Sequence, residues 1–121
     1  MAHILIVDDS PTERHFISKV LEQIGHQVST ADSGETGIKA AKKTNPDLIL
    51  MDIVMPGMNG FQATRQITRA PETSNIPVVI VSTKSQQTDK VWAARQGAKG
   101  YLVKPVNSEM LISSLKSFLA T

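Results

Sequence analysis

Five polar residues stand directly behind short apolar runs. Asp8 and Asp9 follow Ile4-Leu5-Ile6-Val7, Asp52 follows Leu48-Ile49-Leu50-Met51, Ser82 follows Val78-Val79-Ile80-Val81, and Lys104 follows Tyr101-Leu102-Val103. Brought together, they would form a cleft with three carboxylates, one hydroxyl and one ammonium. Three carboxylates repel one another and a single lysine offsets one charge, so a surplus of about two negative charges must be relieved by protons or by a cation. All-oxygen donors without imidazole or thiolate select a hard ion, and few carboxylates with room for water suit Mg²⁺. A carboxylate beside Mg²⁺, a hydroxyl and an ammonium has what phosphoryl transfer needs: a nucleophile, and positive charge for the phosphoryl oxygens. Asp52, alone at its run's end and facing the Asp8-Asp9 pair, is the candidate nucleophile. The loop behind it, Met55-Pro56-Gly57-Met58-Asn59-Gly60, is rich in turn formers and leaves the site open to a donor.

Whether these residues meet depends on the elements that carry them. The four apolar runs are short, continuous and largely β-branched or Leu, the pattern of strands buried on both faces of a parallel sheet. A weaker run, Gln27 to Ala31, predicts an edge strand. Helical patterns fill the gaps. Phe16, Ile17, Val20, Leu21 and Ile24 recur at helical spacing behind a Ser10-Pro11-Thr12-Glu13 capping box, and Gly25 stops them. Asp32-Ser33-Gly34-Glu35 repeats the start signal before Ile38 and Ala41. Phe61, Thr64 and Ile67 mark a third helix between Gly60 and Pro71, residues 85 to 96 a fourth, and Leu111, Ile112, Leu115, Phe118 and Leu119 a fifth, capped by Asn107 or Ser108. Strand and helix thus alternate five times, which predicts a doubly wound α/β three-layer (βα)5 sandwich. In such a sheet the carboxyl ends of all strands share one edge, where ligands bind. Each polar residue alone reads as a strand terminator or helix cap; four such positions on one edge read as a site.

Composition narrows the function further. The 121 residues suffice for one domain, spanning 1–121, and 40% hydrophobic with 20% charged residues is ordinary for a globular chain. No cysteine is present, which excludes disulfides, thiolate metal sites and cysteine nucleophiles and fits a cytoplasmic location. No apolar run approaches the roughly 18 residues of a membrane span, so no membrane insertion is expected, and the N-terminus carries no signal-peptide pattern. The charge of +2 comes from scattered bases such as Lys39, Lys42, Arg65, Arg69, Lys90 and Arg95, without aromatic interleaving. That is the distribution of solvated helix faces, and no nucleic-acid partner is expected.

Asp8-Asp9 after the first strand, Asp52 after the third, Met55-Pro56 with Gly60 beyond, Ser82 after the fourth and Lys104-Pro105 after the fifth together resemble the receiver domains of response regulators, over the whole chain. The stretches Asp52 to Gly57, Gly60 to Gln66 and Lys84 to Tyr101 are similar to the CheY-like, PilH-type stand-alone receivers of twitching-motility systems. The resemblance implies a flavodoxin-like sheet of order 2-1-3-4-5. It implies that Asp52 accepts a phosphoryl group from a histidine kinase or a small donor. It further implies Mg²⁺ held by Asp8 (partly through water), Asp9, Asp52 and the backbone carbonyl of Val54, phosphoryl contacts from Ser82 and Lys104, and a cis bond before Pro105. Such proteins signal rather than turn over substrate. Tyr101, on the last strand, is the switch aromatic implied to fill the space vacated by the Ser82 hydroxyl. The expected output face comprises the fourth helix, fifth strand and fifth helix, with Lys90, Trp92 and Tyr101 on it. The downstream target is not readable.

Other residues and readings carry less. Val54 and Lys84, two beyond Asp52 and Ser82, depart from flagellar chemotaxis receivers and flank the route by which water reaches an acyl phosphate. Thr83 is an alternative hydroxyl, but strand alternation favours Ser82. His3, His15 and His26 have no ligand spacing; Met51 is expected in the core, with Met55 and Met58 covering the loop beside the site. The alternative function is an Mg²⁺-dependent phosphatase of the haloacid-dehalogenase type, but that chemistry uses an Asp-x-Asp nucleophile on the first strand. A nucleotide site at the first turn is disfavoured because that turn lacks glycine.

Overall fold

A computed structural model describes residues 1–119. Its elements are β1 (His3–Val7), α1 (Pro11–Gln23), β2 (Gln27–Ala31), α2 (Gly34–Thr44), β3 (Leu48–Met51), α3 (Gly60–Arg69), β4 (Val78–Ser82), α4 (Gln87–Arg95), β5 (Gly100–Val103) and α5 (Ser108–Leu119). All strand pairs are parallel and the order is β2-β1-β3-β4-β5. The expected doubly wound architecture and strand order are both observed, with β2 at an edge.

Alternation explains why three runs are apolar without a break. Leu5, Val7, Ile49, Met51, Val78 and Ile80 face one core with Ile38, Ala41, Ala63, Ile67 and Ala93 from α2, α3 and α4. Ile4, Ile6, Leu48, Leu50, Val79 and Val81 face a second core with Ile17, Val20, Leu21, Leu111 and Leu115 from α1 and α5. Each central strand is covered on both sides, so polar residues are tolerated only where the strand leaves the sandwich. Truncating one of these Leu or Ile side chains to Ala would cost about 2–5 kcal/mol.

Local signals differ in detail from the sequence reading. Ser10 caps α1 by accepting from the Glu13 N–H. The second half of the expected box is missing, because the Ser10 N–H donates instead to Asp8 Oδ1 at 2.9 Å. The α2 box is formed by Ser33 and Thr36, not by Asp32 and Glu35. Asn107 caps α5 through the Met110 N–H. The fourth helix starts at Gln87, two residues later than predicted. Phe16 and Ile24 have helical spacing but are exposed: Phe16 is turned about 100° around the helix from the buried Ile17, and Ile24 is the C-cap beyond the last turn of α1. β5 is only half-buried, unlike the other apolar runs, since it lies at the sheet's second edge. Met55 is buried in the first core rather than covering the loop.

Candidate functional site

The β1 and β3 strands pair from Ile4–Leu48 to Val7–Met51, and the next rung, Asp52 N–H to the Val7 carbonyl, spans 2.9 Å. That rung brings the first residues beyond both strands side by side. Asp8, Asp9 and Asp52 each present a carboxylate oxygen within 4.8 Å of the others. Asp8 is 2% and Asp52 7% exposed, while Asp9 faces solvent. Lys104 enters from the end of β5, its Nζ 2.8 Å from Asp8 Oδ2 and 3.7 Å from Asp52 Oδ2. Its own N–H donates to the Ser82 carbonyl at 2.8 Å, which fixes the β5 exit to the β4 exit. The Lys104–Pro105 bond is cis.

Each carboxylate is held differently. Asp8 accepts from Ser10 N–H through Oδ1 and from Lys104 through Oδ2. Asp52 Oδ1 accepts from the Ile53 N–H at 2.8 Å. Asp9 takes no protein donor among the described residues, which suits it to a ligand from outside. Burial pushes the Asp52 carboxyl above its ordinary value; Lys104 opposes that, Asp8 adds to it, and the Ile53 N–H and Asp9 contribute smaller opposing pulls. Lys104 shows the reverse balance. Burial is the largest single influence and lowers its value, but the Asp8 hydrogen bond and the charges of Asp52, Asp8 and Glu13 together raise it. The cleft therefore holds excess negative charge that one ammonium does not cancel. Three oxygen donors with this surplus match a small hard divalent ion. The Val54 carbonyl, one turn of chain beyond Asp52, accepts no hydrogen bond among the described residues, and the Val54 side chain is 55% exposed at the mouth.

Ser82 is fully buried at the end of β4, and its Oγ accepts from the Lys84 N–H at 3.3 Å; neighbouring Thr83 points to solvent. Alternation thus separates the two hydroxyls as expected. Tyr101 is half-buried against the first core, and its hydroxyl donates to the Lys84 carbonyl at 2.7 Å. Burial, with the negative charges of Asp89 and Asp52, pushes its phenol above the usual value. Lys84 also pairs loosely with Asp89 at 3.9 Å. Lys90 lies beside Tyr101 in a groove between α4 and β5. Trp92 does not join them. Two residues further along α4 it is rotated about 160° from Lys90, at 100° per residue, and is 48% exposed with Arg95 over its ring.

Two supports escaped the sequence reading. Arg14 donates to the Asp8 carbonyl at 2.7 Å, tying α1 to the β1 exit. Gly60 touches the backbone of Asp52 and Ile53 so closely that a Cβ would overlap the Asp52 carbonyl, and its N–H donates to the Ile53 carbonyl at 2.8 Å. The glycine was visible as a turn former and as part of the motif; its packing role was not, because nothing local reveals that α3 starts against the end of β3.

This geometry coincides with a match to the response regulator receiver domain over residues 4–116. The chain belongs to that family. It is 58% identical to Protein PilH of Pseudomonas aeruginosa, with 99% of both chains aligned. It is also 34% identical to the transcriptional regulatory protein AfsQ1 of Streptomyces coelicolor, covering 98% of this chain but 52% of that protein. Among solved structures it superposes on the chemotaxis protein CheY4 of Vibrio cholerae with a TM-score of 0.93 at 34% identity, covering 98% and 99% of the two chains. The receiver domain of a Pseudomonas aeruginosa sensor histidine kinase, with a magnesium ion coordinated in its active site cleft, superposes at 0.91 and 27% identity over 99% and 98%. Receivers take phosphoryl groups from histidine kinases and bind Mg²⁺ at an acidic pocket. The haloacid-dehalogenase alternative finds no support. No described helix is long and apolar enough to cross a membrane.

Proposed function

We propose that this chain, as one receiver unit over residues 1–121, accepts a phosphoryl group on Asp52 from a histidine kinase in the cytoplasm. The convergence of Asp8, Asp9, Asp52 and Lys104 at one sheet edge carries the reading. Asp8, Asp9, Asp52 and the Val54 carbonyl would hold Mg²⁺, which supplies positive charge to the phosphoryl oxygens. A carboxylate oxygen of Asp52 attacks the donor phosphorus; the new O–P bond forms as the bond to the donor's imidazole, or to the acetate of a small donor, breaks. Lys104, already poised between Asp8 and Asp52, moves its charge onto the added phosphoryl group, which brings about −1.5 to −2 charge and three acceptor oxygens. Ser82 exchanges its bond to the Lys84 N–H for one to a phosphoryl oxygen.

That exchange is what couples the site to the surface. Lys84 links both ends of the switch, since its N–H meets Ser82 and its carbonyl holds the Tyr101 hydroxyl. Loss of the first bond shifts the loop that anchors the second and so remodels the face of α4, β5 and α5, with Lys90 and Tyr101 on it. Similarity to PilH over nearly the whole chain supports control of type IV pilus twitching motility as the output.

Treatment with acetyl phosphate and Mg²⁺ should add one phosphoryl mass to the wild-type protein. Asp52→Asn should remain unlabelled, and chelation should abolish the wild-type gain; a label that survives the substitution removes Asp52 from its role. A strain carrying Asp52→Asn should show altered twitching zones, and normal zones would separate this receiver from that output.

A further inference from the structure

The pole of the sheet opposite the carboxylates carries a concavity of different character. It lies at the amino ends of β4 and β5, where Pro77 and Lys99 lead into the strands, and encloses about 560 Å³. Arg69 from the last turn of α3, Arg95 from the last turn of α4 and Lys99 from the following loop line it, with Asn75, Gln96 and Phe118. Among the described residues no carboxylate lines it, and none of the three cations forms an ion pair.

Helix ends alone do not account for this charge. Arg69 and Arg95 each complement a helix C-terminus, whose partial charge is about −0.5. Two such ends offset about one of the three positive charges, so about two remain. The frame is also built rather than loose. The Thr68 hydroxyl donates to the Gln96 carbonyl at 2.8 Å, joining the ends of α3 and α4. Gly97, at φ 104°, lets the two helices approach where a Cβ would strike Thr68. Three cations from separate elements, uncharged donors and an aromatic edge, in a volume typical of small-molecule sites, fit an anion with several phosphate oxygens and an attached planar group.

We propose that Arg69, Arg95 and Lys99 form a second ligand site, for a small molecule bearing two or more phosphate groups, with a nucleoside triphosphate as the model occupant. It is separate from the acidic crevice and does not depend on Asp52. The probes are adenosine triphosphate and inorganic triphosphate, titrated calorimetrically into the full chain with chelator present, so that no divalent ion bridges phosphates to the carboxylates. Micromolar binding of either probe is expected, at least tenfold weaker in Lys99→Glu and in Arg95→Gln and unchanged in Asp52→Asn. Tighter binding of the nucleoside form would assign the planar group to the Phe118 side; equal binding would mean that phosphate alone is read, which also supports the site. Lys42→Glu, on the exposed part of α2, is the control for general charge. No binding of either probe overturns the proposal, as does an equal loss in the Lys42 and Lys99 variants. Labelling of Asp52 by acetyl phosphate in both charge variants would show that they fold.

Discussion

The β1–β3 end, which carries the proposed phosphoacceptor, and the α4–β5 side, which carries the proposed output face, are held in opposite ways. At the β1–β3 end every strand residue is buried or nearly so, and Asp8 and Asp52 are fixed by ladder rungs, backbone donors and a lysine. On the other side β5 is half-buried throughout, and α4 buries Ala93 alone within its span, leaving Val91 and Trp92 exposed. Chemistry needs atoms held to within fractions of an ångström, so the reacting groups sit on the stiff part. A switch needs two arrangements of similar free energy, and the α4–β5 side proposed for it is where few contacts would have to be broken.

That contrast is open to direct challenge. Gly60→Ala should have the largest effect. A Cβ pressed on the Asp52 backbone has no flexible neighbour to displace, and a loss of about 3 kcal/mol is expected in urea unfolding. A loss below about 1 kcal/mol would mean that the stiff end can yield. Lys104→Met comes next, at about 2 kcal/mol, because the buried Asp8 charge keeps the Ser10 N–H but loses its cation. Since Lys104's folded value is raised, its contribution is fully present below its ordinary value of 10.5 and is lost as pH rises through the folded value. The wild-type advantage over Lys104→Met should therefore stay flat to that pH and then shrink.

Asp52→Asn should act in the opposite direction. Burial raises the Asp52 value, so the ionised form costs stability at neutral pH, and wild type regains it as pH falls through the folded value towards 3.8. The variant should melt above wild type at pH 7 without Mg²⁺, with the gap narrowing on acidification; a variant that melts lower would mean that Lys104 outweighs burial. Trp92→Ala should be the mildest, within about 0.5 kcal/mol, as expected for an exposed site. A larger loss would show that α4 depends on the Trp92–Arg95 stack, and the two regions would differ less than their burial suggests.

The sequence carried the strands of the core because burial on both faces demands unbroken apolar runs, and Ile4–Val7, Leu48–Met51 and Val78–Val81 satisfy that rule without reference to anything distant. It carried the candidate site for the same reason, since polar residues at Asp8, Asp52, Ser82 and Lys104 can appear only where such runs leave the sandwich. It did not reveal that Phe16 and Ile24 stay in solvent, that Met55 turns inward, or that Lys90 rather than Trp92 lines the groove beside Tyr101. Phe16 and Trp92 depend on how a helix is rotated against the sheet, Ile24 on where the chain leaves α1, and Met55 on how the loop between β3 and α3 folds onto the core, and spacing along one segment cannot encode that. The tertiary structure alone decided the support of Asp8 by Arg14, the contact of Gly60 with Asp52, and the meeting of Arg69, Arg95 and Lys99, because these join segments whose separation is set by packing rather than by local periodicity.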